Sequence, residues 1–99
     1  VESLLQCARD HAENERREYR VVFSAETAEI LRDDGLRIGR EYRLPEHVFV
    51  AATTYDGGPV VFRADGSAAE AGSLYLRERR SRREKRIVVY NLTGRAAVR

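Results

Sequence analysis

Seven cations and two acids crowd into ten residues, Arg77-Glu78-Arg79-Arg80-Ser81-Arg82-Arg83-Glu84-Lys85-Arg86. Guanidinium forks match the geometry of carboxylates and phosphates, so this run suits an anionic partner, either nucleic-acid phosphates or an acidic protein surface. The same run also suits a solvated loop that keeps neighbouring strand edges from pairing with other chains. No aromatic residue lies inside it, although Tyr75 and Tyr90 flank it, so stacking on single-stranded bases is not supported within the run.

The remaining candidates for chemistry are sparser. Cys7 and His11 stand four residues apart, a spacing that places two metal ligands on one helix face. Two ligands do not make a site, and the other histidine is His47, so no metal is assigned. Acid–base catalysis needs paired carboxylates, and Asp33-Asp34 and Asp56 are the densest. All precede glycine, however, and turn formation accounts for them. The loops lack the spaced carboxylates of a calcium-binding hand. Ser24, His47 and Asp65 supply the residue types of a hydrolytic triad, but no nucleophile elbow surrounds the serine. The expectation is a non-enzymatic protein with no catalytic residue, metal or cofactor.

The elements that must position the arginine run follow from periodicity. Val1, Leu4, Leu5, Ala8 and Ala12 form one stripe of a 3.6-residue repeat, predicting a helix to about residue 18 with Arg16 and Arg17 in its last turn. Ser3 and Gln6 have capping-box spacing. So thin a stripe needs a sheet to pack on. From Tyr19 the period becomes two, and Tyr19, Val21 and Phe23 share a face. A weak strand at Ala28–Leu31 leads to an Asp-Asp-Gly turn. Leu36, Ile38, Tyr42 and Leu44 then share a face that Arg40 interrupts. Val48–Ala51, Val60–Phe62, Ser73–Glu78, Arg86–Leu92 and Ala96–Val98 complete about eight short strands, and residues 56–59 read as a loop. The charge run then falls on a protruding hairpin between two strands. One helix followed only by strands predicts an α+β fold with antiparallel sheets, in which residues 1–18 end a helix and residues 19–99 build the β part of a single domain.

Composition agrees with a globular chain: 42% apolar and 34% charged over 99 residues. The net charge of +2 conceals an uneven distribution. Residues 1–50 carry 8 Arg against 11 Asp and Glu, or −3, and residues 51–99 carry 10 Lys and Arg against 5 Asp and Glu, or +5. An anionic partner would therefore meet the C-terminal half. The single Cys7 allows no intrachain disulfide, and no apolar run approaches the roughly 20 residues that span a bilayer. A chain that starts at Val1 and contains no Met is expected to be processed or cut from a longer polypeptide.

Several features together resemble minor pseudopilins of the GspH/FimT type. The tail carries Phe62, Asp65-Gly66, a Gly72-led strand and a closing Thr93-Gly94-Arg95 in the family's order. Leu44-Pro45 followed by Val48 is similar to its Leu-Pro step into a central strand, and Leu5, Ala8-Arg9 and Ala12 are similar to the end of its long helix. The resemblance implies a pilin-like fold, with the helix packed on two small antiparallel sheets. It implies a structural subunit of a type II secretion pseudopilus or type IV pilus-like filament, involved in protein secretion. An upstream apolar helix would hold the native protein in the inner membrane, with this domain on the periplasmic side. Partners would be other pseudopilins, met through the helix and the β domain. Leu4, Leu5, Ala8, Arg77, Arg79, Arg80, Arg82, Arg83 and Arg86 are the residues expected to contact them. The alternative is a DNA-binding minor pilin or nucleic-acid-binding module using residues 77–86. In members tied to DNA uptake a Gly-Arg-x-Arg tail supplies cations. Here Ala97 stands where the second Arg would be, which weakens that reading.

Overall fold

A computed structural model describes residues 1–55 and 59–99. Asp56, the one carboxylate candidate in the loop read at residues 56–59, lies outside the described residues together with Gly57 and Gly58. Helix α1 (Glu2–Glu15) is followed by β1 (Tyr19–Phe23), β2 (Thr27–Arg32), β3 (Arg37–Arg43), β4 (Val48–Thr53), β5 (Val60–Phe62), β6 (Gly72–Glu78), β7 (Glu84–Val89) and β8 (Ala96–Val98). The strands form two four-stranded antiparallel sheets, in the orders β3-β2-β1-β5 and β4-β6-β7-β8. This is the α+β arrangement that one helix followed by alternating strands predicts. No helix among the described residues is long and apolar enough to cross a membrane.

The helix packs against β1 and β5 of the first sheet and β8 of the second, and so ties the two sheets together. Its Leu5, Ala8 and Ala12 are fully buried with Tyr19, Val21, Val60, Phe62, Leu74 and Val89. Alanines at two of three buried helix positions let the backbone lie close to the strands. Leu5 then supplies the bulk, and burying such a side chain contributes about 1.5–3 kcal/mol.

Three local readings needed correction. The helix stops at Glu15, because Arg16 adopts a left-handed conformation (φ 53°) and the Arg17 N–H closes the turn onto the Ala12 carbonyl. Arg16 and Arg17 therefore stand outside the last turn, and Arg17 reaches Asp33 instead. The capping box is absent: Val1 is the N-cap residue, and Gln6 donates to Asp10 one turn on. On β3, Ile30 pairs with Ile38 but Ala28 pairs with Tyr42, so Gly39, Arg40 and Glu41 bulge out opposite Glu29. Gly39 supplies the positive φ (+72°) this needs, which carries Arg40 away from the core. Leu36, expected on the apolar face, is 51% exposed because it belongs to the preceding turn.

β7 also differs from its expected span. It begins at Glu84 and stops at Val89, since the Gly94 N–H donates to the Tyr90 carbonyl and the Tyr90 N–H to the Arg95 carbonyl. These bonds close a turn over residues 91–94 that lifts Leu92 to 87% exposure.

Candidate functional site

The arginine run forms the hairpin that joins β6 to β7. Its loop covers Arg79 to Arg83 and is closed by two backbone bonds, from Glu78 N–H to the Arg83 carbonyl (2.9 Å) and from Arg82 N–H to the Glu78 carbonyl (3.0 Å). Arg82 takes a left-handed conformation (φ 58°), and the Ser81 hydroxyl accepts from the Arg83 N–H at 3.3 Å. The loop is thus fixed by backbone bonds, with a further one from the Arg79 N–H to the His47 carbonyl (2.8 Å), which leaves the side chains of Arg80, Arg82 and Arg83 to solvent.

Pairing divides the seven cations into two groups. Arg77 lies directly across from Glu84 in the ladder and donates to its carboxylate at 2.9 Å. Arg79 pairs with Glu26 at 2.8 Å and lies over the Phe49 ring, 4.7 Å from its centre. Among the described residues, Arg80, Arg82, Arg83, Lys85 and Arg86 have no acidic partner, and all five are exposed. Five uncompensated cations on one fixed hairpin make a surface that attracts anions at close range and steers them from about a Debye length away.

The strands sort the rest by face. Leu74, Leu76, Ile87 and Val89 point inward and are buried. The alternate positions Tyr75, Arg77, Arg86 and Val88 therefore face out, with Tyr75 directly opposite Arg86. The backbone N–H of Arg99 donates to the Arg86 carbonyl, which extends that row to the chain's last residue. Arg99 then folds back to Tyr90, its guanidinium 5.8 Å from the ring centre and its Nε 3.1 Å from the hydroxyl.

Of the expected helix contacts, Leu5 and Ala8 are 0% exposed and belong to the chain's own core. Leu4 is half-buried at its edge, so a neighbour can reach Leu4 and not those two. Arg9, which sequence reading left unassigned, donates to the Thr93 carbonyl at 2.6 Å and pins the C-terminal turn to the helix. Only the fold could reveal that bond, since 84 residues separate its ends.

The other candidate groups are engaged locally. The His11 Nδ1 lies 3.1 Å from the Glu15 carboxylate, which also accepts from the Tyr19 hydroxyl at 2.7 Å, and the His11 ring stacks on Tyr19. The Tyr19 bond and then the His11 bond hold the Glu15 carboxyl below its usual range, and burial pushes the Tyr19 phenol up to about 12. Cys7 is exposed on the same helix, and among the described residues no three His, Cys, Asp or Glu side chains gather as metal ligands. Asp33 pairs with Arg17 and Asp34 with Arg32. The Arg32 guanidinium holds the Asp34 carboxyl far below the carboxylate range. Asp65 accepts from both the backbone and the hydroxyl of Ser67, which lowers its carboxyl, and His47 lies nearest Glu46 at 3.5 Å. Among the described residues no hydrogen bond joins Ser24, His47 and Asp65. The groups gathered at the hairpin are cations without acidic partners among the described residues, and the force they exert is attraction of anions.

The family model described as Type II transport protein GspH matches residues 1–94. Neither curated proteins nor solved structures gave a significant match.

Proposed function

The chain belongs to the GspH family of type II transport proteins, and from that premise we propose that it is a structural minor pseudopilin whose arginine hairpin holds a neighbouring subunit of a secretion filament. The family's role is that of a type II secretion pseudopilin, structural and not catalytic. Its members interact with other pseudopilins of that system. In our reading, an apolar helix upstream of α1 anchors the protein in the inner membrane. The two sheets then stand on the periplasmic side and form the outer coat of the filament.

The observation that carries the proposal is the family match over residues 1–94 of a 99-residue chain. Two structural features support it. The helix presents one face to both sheets and leaves Leu4 at the edge for an adjoining helix. The hairpin holds out Arg80, Arg82 and Arg83, which have no acidic partner among the described residues. The test is restoration of secretion in a host that lacks its own copy of the gene. The wild-type sequence should restore export, and the triple substitution of Arg80, Arg82 and Arg83 by Ala should lower it while the protein stays folded. Full export by the triple variant would remove the hairpin from the account. No export by the wild type would remove the pseudopilin role.

The five unpaired cations also favour a second reading, in which the hairpin binds nucleic acid. Duplex DNA should then bind with log K falling by about 0.9 per phosphate contacted for each tenfold rise in salt. No detectable binding at low salt would end it.

A further inference from the structure

The outer face of the second sheet is uncovered among the described residues. Its centre is apolar: Tyr75 on β6, Val88 on β7 and Ala97 on β8 are only partly buried, with Ala97 directly opposite Val88. Its rim is basic. Arg77 and Arg86 stand on the same face, Arg99 follows Arg86 across the ladder, and Arg79 lies over Phe49 beside Arg77. The one acid in this group, Glu84, is taken by Arg77, and Glu26 takes Arg79 from outside it. Arg86 and Arg99 have no acidic partner among the described residues.

We propose that this face is a docking site for an acidic segment of a neighbouring protein subunit, seated on Tyr75, Val88 and Ala97 with its carboxylates held by Arg86 and Arg99. The proposal rests on the pseudopilin reading and names the chemistry of the partner.

Charge complementarity selects the occupant. Among the described residues, every ionic side chain on this face that lacks a partner is a cation, so a basic or neutral surface would leave guanidinium groups uncompensated. The tyrosine-and-arginine composition is that of interface anchors, which bury large area at low entropic cost. Arg99 is also pre-organised: hydrogen bonding to the Tyr90 hydroxyl fixes the guanidinium before a partner arrives, which reduces the ordering cost of binding.

The surroundings of the aromatic rings disfavour nucleic acid on this face. Bases bind single-strand platforms through exposed aromatic faces. Here Arg79 covers one face of Phe49, Arg99 engages the hydroxyl of Tyr90, and Tyr75 is half-buried.

The test uses the 99-residue chain and three probes: a synthetic helical peptide of Glu, Ala and Leu, its Gln counterpart, and a short DNA duplex. Amide resonances of Tyr75, Arg86, Val88, Ala97 and Arg99 should shift and saturate with the Glu peptide alone. The double variant Arg86→Glu, Arg99→Glu should weaken that binding about tenfold or more with an unchanged unfolding midpoint, and should retain less of the other pseudopilins on co-purification. The inference fails if millimolar Glu peptide leaves those resonances unmoved, if shifts stay at Arg80 to Arg83, if the Gln peptide binds equally, or if the duplex binds this face more tightly. It also fails if the double variant retains other pseudopilins as the wild type does, an outcome that leaves the pseudopilin reading standing. Failure of the wild type itself to retain any pseudopilin would count against that reading instead.

Discussion

The two turns nearest the ends of β7 do opposite things. At its C-terminal end, the turn over residues 91–94 is locked into the molecule. Arg9 donates to Thr93 there, and a side chain on Gly94 would collide with the Gly66 carbonyl. At its N-terminal end, the loop from Arg79 to Arg83 is closed by its own backbone and holds out Arg80, Arg82 and Arg83, which find no acid among the described residues. The first turn makes contacts that stabilise the fold. The second makes few and leaves its side chains to a partner. Sequence composition alone would rank them the other way, since the charged loop is the more conspicuous. What separates them is where the bonds go.

If that contrast is right, damage at the first turn should appear as lost stability. The largest effect is expected from Gly94→Ala. The residue sits at φ +67°, and no flexible side chain is available to yield, because the obstacle is backbone. A loss of about 3 kcal/mol or more is expected, a large part of the 5–15 kcal/mol typical of a domain. Urea unfolding measures it, and an unchanged midpoint would mean that Gly94 does not press on the Gly66 carbonyl. Leu5→Ala comes next, at about 2–5 kcal/mol, since it opens a cavity where the helix meets the sheets.

A smaller effect depends on pH. Burial holds Tyr19 and Tyr55 protonated to about 12, against about 10 in the unfolded chain. The folded state therefore keeps protons that the unfolded state has released, and stability should fall as pH rises from about 10 to about 12. Tyr19→Phe should remove part of that alkaline decline. A decline of equal steepness in the variant would show that Tyr19 does not cause it.

The smallest stability effect is expected at the hairpin. Replacing Arg80, Arg82 and Arg83 by Ala should shift stability by no more than about 0.5 kcal/mol, since none is paired. A large loss on thermal unfolding would show that the loop supports the fold after all.

How much was legible in the sequence follows the same division. Alternation revealed the strands, because Tyr19, Val21, Leu74 and Leu76 must face one core. It did not reveal the bulge at Gly39 to Glu41, although Arg40, which interrupts the apolar face, falls within it. The helix end was missed because nothing about Arg16 signals a left-handed residue, a role glycine usually fills. The arginine run was plain in the sequence. Which of its members are free was not, since Glu26 in the β1–β2 turn and Phe49 on β4 reach Arg79 from far along the chain. The outer face was half legible: period two places Arg86, Val88 and Tyr90 together, but only the β7–β8 register adds Ala97 and Arg99.

The most direct test of the central claim is retention of the other pseudopilins of the same secretion system by the purified protein. Wild type would be compared with the Ala triple at Arg80, Arg82 and Arg83. The account predicts that the wild type retains at least one of them and that the triple variant, folded to the same unfolding midpoint, retains less. Equal retention by both proteins, or none by either, would contradict it.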